Sequence, residues 1–312
     1  MCSRTQVKHM NHYDIILFYK FAEIDDPEGF AADQRVFCKK EGLLGKILVA
    51  REGINGSFTG TRGQIEKYKS FLTAIEGFSD VNFKEETASF RPFRKLIVRV
   101  KKEIIRLERE VDMGKRGKYI TPEELLALYQ SGEDFIILDT RNSYESDVGR
   151  FRNAVTLPID SFREFPEALE ALRDKKYRKI VTYCTGGIRC EKATAYMTGS
   201  GFTDVCQLKD GIISFCQQYP DTVWEGKCFV FDDRLLSDVE AEGQVISRCA
   251  LCGESSDRYQ NCRNPVCDDL VILCLKCSEG NEGCCSRECL AEYREHIHRK
   301  TRERQGYKSR TG

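Results

Sequence analysis

The 312 residues exceed one ordinary domain, and 41% hydrophobic content is enough for two or three units with cores of their own. Charged residues make up 31% and cancel to a net charge of zero, which excludes attraction of an anionic partner by overall charge and leaves that task to local patches. No apolar run reaches the roughly 18 residues of a membrane span, and Met1-Cys2-Ser3-Arg4-Thr5-Gln6 leads into no export signal, so a cytoplasmic protein away from the membrane is expected.

The first unit, residues 10–110, opens with a strand-like run from Tyr13 to Phe21, a helix from Pro27 to Glu41 and a strand from Gly45 to Ala50. The turn Arg51-Glu52-Gly53-Ile54-Asn55-Gly56 leads into Ser57-Phe58-Thr59. Thr61 to Phe78 has helical spacing at Ile65, Tyr68, Phe71, Leu72 and Ile75, and Val81 to Glu86 and Leu96 to Val100 supply further strands. This order predicts a ferredoxin-like split βαβ domain. A connector follows, Arg91 to Lys118, with eleven Lys/Arg against four Asp/Glu.

The second unit, residues 118–228, starts a helix at Thr121-Pro122-Glu123-Glu124, with Thr as cap, Pro first and Glu third. Strands at Phe135 to Leu138 and Ile180 to Tyr183 alternate with helices near Phe162 to Arg173 and Arg189 to Thr198, the pattern of a parallel α/β sheet closing near Trp224 to Cys228. The third, residues 229–312, holds nine of the 16 cysteines between Cys249 and Arg294 and is poor in apolar residues.

The four histidines, His9, His12, His296 and His298, lie near the ends, which excludes a Cys-His or Ser-His pair and a two-histidine iron site in the body of the chain. Cysteine, arginine and backbone remain. At the end of the apolar strand Ile180-Val181-Thr182-Tyr183 stands Cys184, followed by Thr185, Gly186, Gly187, Ile188 and Arg189. Strand ends are where α/β sheets bind ligands, and glycines there let successive N–H groups face inward as an anion nest. The helix start after them and the Arg189 cation lower a thiol pKa further, so Cys184 is expected to be a thiolate able to carry a persulfide. The bland alternative is a packed structural thiol.

Cys184 with Arg189, the preceding Asp139-Thr140-Arg141, and Gly149-Arg150-Phe151-Arg152-Asn153-Ala154 together resemble a rhodanese domain. The longer stretch Tyr183-Cys184-Thr185-Gly186-Gly187-Ile188-Arg189-Cys190-Glu191-Lys192, with Arg51-Glu52-Gly53-Ile54-Asn55-Gly56 and the cysteine-rich end, resembles the rhodanese-containing tRNA uridine 5-hydroxylases across all three units. That resemblance implies hydroxylation of the wobble uridine in the tRNA anticodon, with molecular oxygen as cosubstrate, Cys184 essential and the rhodanese aspartate at Asp139. Thr140, where rhodaneses more often carry an apolar residue, is expected to leave the chemistry untouched. With no flavin fingerprint, facial iron triad or haem pattern in the sequence, either the thiolate or persulfide takes part directly or an outside reductant or cofactor is needed. Cys190 is either a thiol that resolves an oxidised Cys184 or a packed helix thiol.

The remaining cysteines fall in pairs, Cys249/Cys252, Cys262/Cys267, Cys274/Cys277 and Cys285/Cys289, with Cys284 adjacent to the last. Two zinc ions in four-thiolate sites are expected, with three pairings open; free thiols or an iron–sulfur centre are the alternatives. Metal would supply folding energy that the segment lacks. Lys101, Lys102 and Arg106 in the connector, Arg51 in the turn, and seven Lys/Arg from Arg294 to Gly312 are candidate RNA contacts, against the ordinary reading of solvated charge. Three functions compete: a tRNA hydroxylase, a persulfide sulfurtransferase and a non-catalytic zinc-dependent RNA-binding module.

Overall fold

A computed structural model describes residues 12–237 and 244–308. The amino-terminal Met1 to Gln6, His9 and the last residues of the basic tail lie outside the described residues.

The first unit runs β1 (Tyr13–Phe21), α1 (Pro27–Glu41), β2 (Leu44–Ala50), β3 (Gly53–Gly60), α2 (Arg62–Thr73), β4 (Phe83–Ala88) and β5 (Leu96–Val100). Strand order β4-β1-β3-β2-β5 is that of a split βαβ sandwich with one strand added at the edge. Alternation along β1 decides which side is which. Ile16 and Phe18 join Ile47, Phe58, Tyr68 and Leu72 in the core beneath the two helices, and the odd residues Leu17 and Tyr19 face the second unit. The helix predicted to reach Phe78 ends at Thr73, although Ile75 and Phe78 still pack on the core, which is why their spacing reads as helical. The expected six-residue turn is shorter. Only Arg51 and Glu52 turn, and Gly53 already pairs with Phe21 in β3, so Asn55 is a strand residue opposite Tyr19.

The second unit comprises β6 (Lys118–Ile120), α3 (Pro122–Ser131), β7 (Ile136–Asp139), α4 (Ser143–Ser146), β8 (Gly149–Phe151), β9 (Val155–Thr156), α5 (Phe165–Ala168), β10 (Lys179–Tyr183), α6 (Ile188–Gly199), β11 (Asp204–Leu208), α7 (Gly211–Gln218) and β12 (Trp224–Gly226). Its main sheet is parallel throughout, ordered β6-β11-β10-β7-β9. The Thr121 capping box forms as the sequence predicts, Thr121 Oγ1 accepting from Glu124 N–H. The helix expected over Phe162 to Arg173 is instead a short α-turn between two 3₁₀ segments. Pro166 has no N–H to give the Phe162 carbonyl, so a continuous α-helix cannot start there. Register pairs Tyr183 with Asp139, which sets the Asp139-Thr140-Arg141 corner beside Cys184.

The third unit carries two small hairpins, β13 (Cys228–Phe229) with β14 (Leu236–Ser237) and β15 (Tyr259–Asn261) with β16 (Leu270–Ile272), then α8 (Leu275–Gly280) and α9 (Arg287–Lys308). Its apolar contact with the second unit is a small cluster of Val148, Phe229, Tyr259 and Ile272. The whole is an α/β protein with a ferredoxin-like first unit, a rhodanese-like parallel sheet and a cysteine-rich end.

Candidate active site

β10 ends at Tyr183 and the loop 184–187 turns directly into α6. Gly187 N–H donates to Cys184 Sγ at 3.1 Å, and the N–H groups of Arg189 and Cys190 point at the same sulfur. Gly187 has φ +100°, and a Cβ there would come within 2.9 Å of the Tyr19 hydroxyl. Gly211, at the start of α7, has φ +70° and leaves no room for a Cβ against the Cys184 carbonyl, which accepts from Ile212 N–H at 3.0 Å. The loop is thus a nest clamped from behind.

Burial opposes charge on Cys184, but the Cys190 thiol, the Arg189 guanidinium and the backbone donors outweigh it and bring the thiol down to about 6. Burial and the neighbouring Cys184 push Cys190 the other way, so it stays a neutral donor toward Cys184. Thr140 Oγ1 lies 3.7 Å from Cys190 Sγ and donates to the Tyr183 carbonyl, so the residue expected to be inconsequential is one contact from the reactive sulfur. Alkylation of Cys184, followed by peptide mass spectrometry across pH, is expected to rise through a midpoint near 6 and then level off. Cys38 and Cys228, pushed up to about 12 by burial, should stay unmodified over the same range. A Cys184 midpoint near the free-thiol value of about 8.5 would contradict the nest.

Arg189 is not the free cation that the sequence suggests. Its guanidinium forms a fork onto Glu145, at 2.5 and 2.7 Å, and both side chains are buried. Glu145 comes from α4, where it closes a capping box with Asn142 N–H at 3.2 Å. The Asp139 carboxylate is taken by Arg141, at 2.9 and 2.6 Å, and by the Tyr183 hydroxyl at 2.7 Å. Arg141 also donates to the Glu145 and Gly149 carbonyls. Removing one partner of so buried a pair costs about 3–5 kcal/mol. Asp139 and Arg141 therefore brace the strand end.

The first unit forms the opposite wall. Leu17 packs over Gly186, and Tyr19 donates to Glu191 at 2.9 Å, a buried carboxylate that also accepts from Tyr119 at 2.6 Å and Arg116 at 3.0 Å. Lys192, likewise buried, reaches Glu52 at 2.8 Å and Glu103 at 2.6 Å. The Arg51-Glu52 turn thus docks on α6 through Glu52 and leaves Arg51 exposed. Lys101, Lys102 and Arg106 are exposed and border one cavity of about 920 Å³, which Arg51 does not line. Arg106 is paired with Glu108.

The cysteine pairs interleave. Cys249, Cys252, Cys274 and Cys277 form one group, Cys262, Cys267, Cys285 and Cys289 the other, with the sulfurs in each within 4.8 Å of one another. Sulfur separations of 3.7 Å for Cys252–Cys274 and Cys267–Cys285 match the edge of roughly 3.8 Å that follows from Zn–S bonds of about 2.3 Å in a tetrahedron. Burial opposes charge on Cys249 and Cys262, but backbone N–H groups and neighbouring thiols outweigh it and favour a thiolate at both. Both groups fit a metal ion. Cys284 is the cysteine left over, buried beside them.

Residues 13–104 match the UPF0176 acylphosphatase like domain, residues 121–218 the rhodanese-like domain and residues 225–290 the rhodanase C-terminal family. The tRNA uridine(34) hydroxylase of Cytophaga hutchinsonii is 42% identical over 90% of both chains, and that of Bacillus licheniformis is 42% identical over 92% of this chain and 89% of its own. The chain belongs to the tRNA uridine(34) hydroxylase family. Among solved structures, a rhodanese-like domain from Anabaena sp. is 22% identical, covering 35% of this chain and 78% of its own with a TM-score of 0.30.

In this family member the structure brings Cys184, Thr185, Gly186 and Gly187 together in one loop with Ile188, Arg189 and Cys190 in the first turn of α6, and Asp139 lies one strand away. Glu145, Tyr19 and Lys192 escape sequence reasoning. Glu145 has a readable signal in the capping-box spacing Asn142-x-x-Glu145; the other two depend on how the units dock.

Proposed function

We propose that the protein hydroxylates the wobble uridine of tRNA at C5, with Cys184 as the reacting group and molecular oxygen as cosubstrate. The reaction class is the one named for its relatives. The observation in this chain that supports it most is a thiolate held by backbone donors, with an opening of about 920 Å³ bordered by lysines one residue away from its loop, where Leu17 meets Gly186 and Phe231 meets Arg189. That is within the range for whole organic ligands, roughly 300–1,000 Å³, whereas a one-atom sulfur acceptor site needs far less. Inserting one oxygen atom at C5 leaves the second to become water, which takes two electrons and two protons, so a reductant from outside the chain completes the reaction. Arg189 stabilises the thiolate while Glu145 holds the guanidinium in place; Asp139 and Arg141 position the strand end; Lys101, Lys102, Arg106 and Arg51 contact the anticodon arm. Each cysteine group holds one zinc ion, and the protein works in the cytoplasm. Among the described residues no helix is long and apolar enough to cross a membrane.

The same nest suits a persulfide, which makes sulfur transfer the second reading. Mass spectrometry of tRNA nucleosides from a deletion strain separates the two. Loss of 5-hydroxyuridine with thiolated nucleosides intact is expected. The reverse pattern would establish the sulfurtransferase, and no change in either would leave only an RNA-binding module.

A further inference from the structure

The outward face of the first sheet is only partly covered by the second unit. Past the contact of Leu17 with Gly186, the face opens into the cavity of about 920 Å³, to which Leu17 itself contributes. Two kinds of side chain border it that neither the fold nor the catalytic loop accounts for.

The first is a set of cations. Lys46 projects from β2 beside Lys101 and Lys102, and among the described residues none of the three takes part in an ion pair. The two carboxylates that also line the cavity, Glu103 and Glu108, are taken by Lys192 and Arg106, which leaves the three lysines in excess; burial and the nearby charges of Arg99 and Lys101 lower the Lys46 pKa accordingly. The second is aromatic. Phe231, 62% exposed, lines the cavity from a segment of the third unit, and Phe93 lines it as well. Phe231 is not loose. Its ring meets Phe229 edge-on at 5.3 Å, and the Arg189 guanidinium lies 6.0 Å from its centroid. A large apolar ring fixed in water next to the catalytic arginine, with unpaired lysines beyond it, matches how proteins hold single-stranded RNA: bases on aromatic faces, phosphates on lysine.

We propose that this cavity binds the nucleotides around the target uridine, with Phe231 as the platform on which the extruded base stacks and Lys46, Lys101 and Lys102 as the phosphate contacts. This rests on the tRNA reading above and specifies how that substrate is held. No other segment brings an exposed ring so near Arg189 among the described ring and cation contacts. Since Phe231 belongs to the third unit and Lys46 to the first, the binding site would require all three units together.

The test uses the full chain and two anticodon stem-loop RNAs, one with uridine at the target position and one abasic there, with binding followed by fluorescence anisotropy over a range of salt. Phe231→Ala is expected to weaken the uridine RNA on the order of ten- to a hundred-fold, the strength of base–aromatic stacking, and to leave the abasic RNA unchanged. Phe231→Trp should restore the difference, which a merely structural role would not do. Lys46→Ala and Lys101→Ala should weaken both RNAs alike and flatten the slope of log affinity against log salt by about one unit for each phosphate that the protein no longer neutralises. Equal effects of Phe231→Ala on the two RNAs, or none on either, would overturn the stacking platform while hydroxylation by the unaltered protein left the tRNA reading standing. Failure of the unaltered protein both to bind and to modify tRNA would remove that reading and this proposal with it.

Discussion

Replacing Cys184 with serine is expected to abolish hydroxylation of tRNA, by on the order of a thousand-fold or more, as removal of a reacting nucleophile does in other enzymes. The nest explains why the effect should be so complete and yet local. Serine can still accept from Gly187 N–H, so the loop and the α7 clamp on the Cys184 carbonyl remain in place. What vanishes is the anion. A thiol brought to about 6 is mostly ionised at neutral pH, whereas a hydroxyl there is not. The same protein should melt within a few degrees of the unaltered one and bind tRNA with the same salt dependence. Nucleoside mass spectrometry after incubation with unmodified tRNA measures the loss, and serine retaining activity would show that the sulfur is not the reacting atom. Cys38→Ser supplies the contrast, since that thiol lies in the core of the first unit, away from the loop.

Stripping metal from the third unit is the second change expected to have a large effect. Structural four-thiolate sites bind zinc with roughly 10–16 kcal/mol of apparent free energy, which in such segments is folding free energy. The unit's apolar contact is small, the cluster of Val148, Phe229, Tyr259 and Ile272, supplemented by ion pairs such as Lys227 with Asp257 and Arg234 with Glu86. The unaltered protein should carry about two zinc ions. A strong chelator, or Cys252→Ala together with Cys262→Ala, should release them and make the chain beyond Ser247 sensitive to protease. The damage should reach the catalytic loop. Tyr259 packs on Phe229 at 5.4 Å, Phe229 packs on Tyr144 at 5.3 Å, and Tyr144 precedes the Glu145 that holds Arg189. Elemental analysis and limited proteolysis together check this. Protease resistance that survives complete metal removal would contradict it, and no zinc, or iron in its place, would overturn the zinc assignment.

Much of this architecture can be read locally. The strand Ile180 to Tyr183, the two glycines and the helix start are contiguous, so the anion nest follows from a single stretch of chain. The Thr121 capping box and the element order of the first unit are local or topological patterns of the same kind. Contacts between distant segments are not. Arg189 finds Glu145 across 44 residues, and Lys192 finds Glu52 across 140, so Arg189 reads as a free cation in the sequence and is a paired one in the fold. Cysteine spacing marks the candidate ligands, but only the crossing of the two loops groups Cys249/Cys252 with Cys274/Cys277 out of the three pairings. Thr140 reads as a neutral replacement because its neighbour Cys190 lies 50 residues away. The cavity has no signature at all, since Lys46, Phe93, Lys101 and Phe231 come from separate segments brought together by docking.

The most direct measurement is the fate of oxygen. Purified protein, unmodified tRNA and a reductant are incubated under heavy-isotope dioxygen, and the nucleosides are analysed by mass spectrometry. One heavy oxygen atom in 5-hydroxyuridine, formed only when Cys184 is present, is the predicted result. 5-Hydroxyuridine that takes its oxygen from water, or that forms equally well with Cys184→Ser, would contradict an oxygen-dependent hydroxylase working through this thiolate.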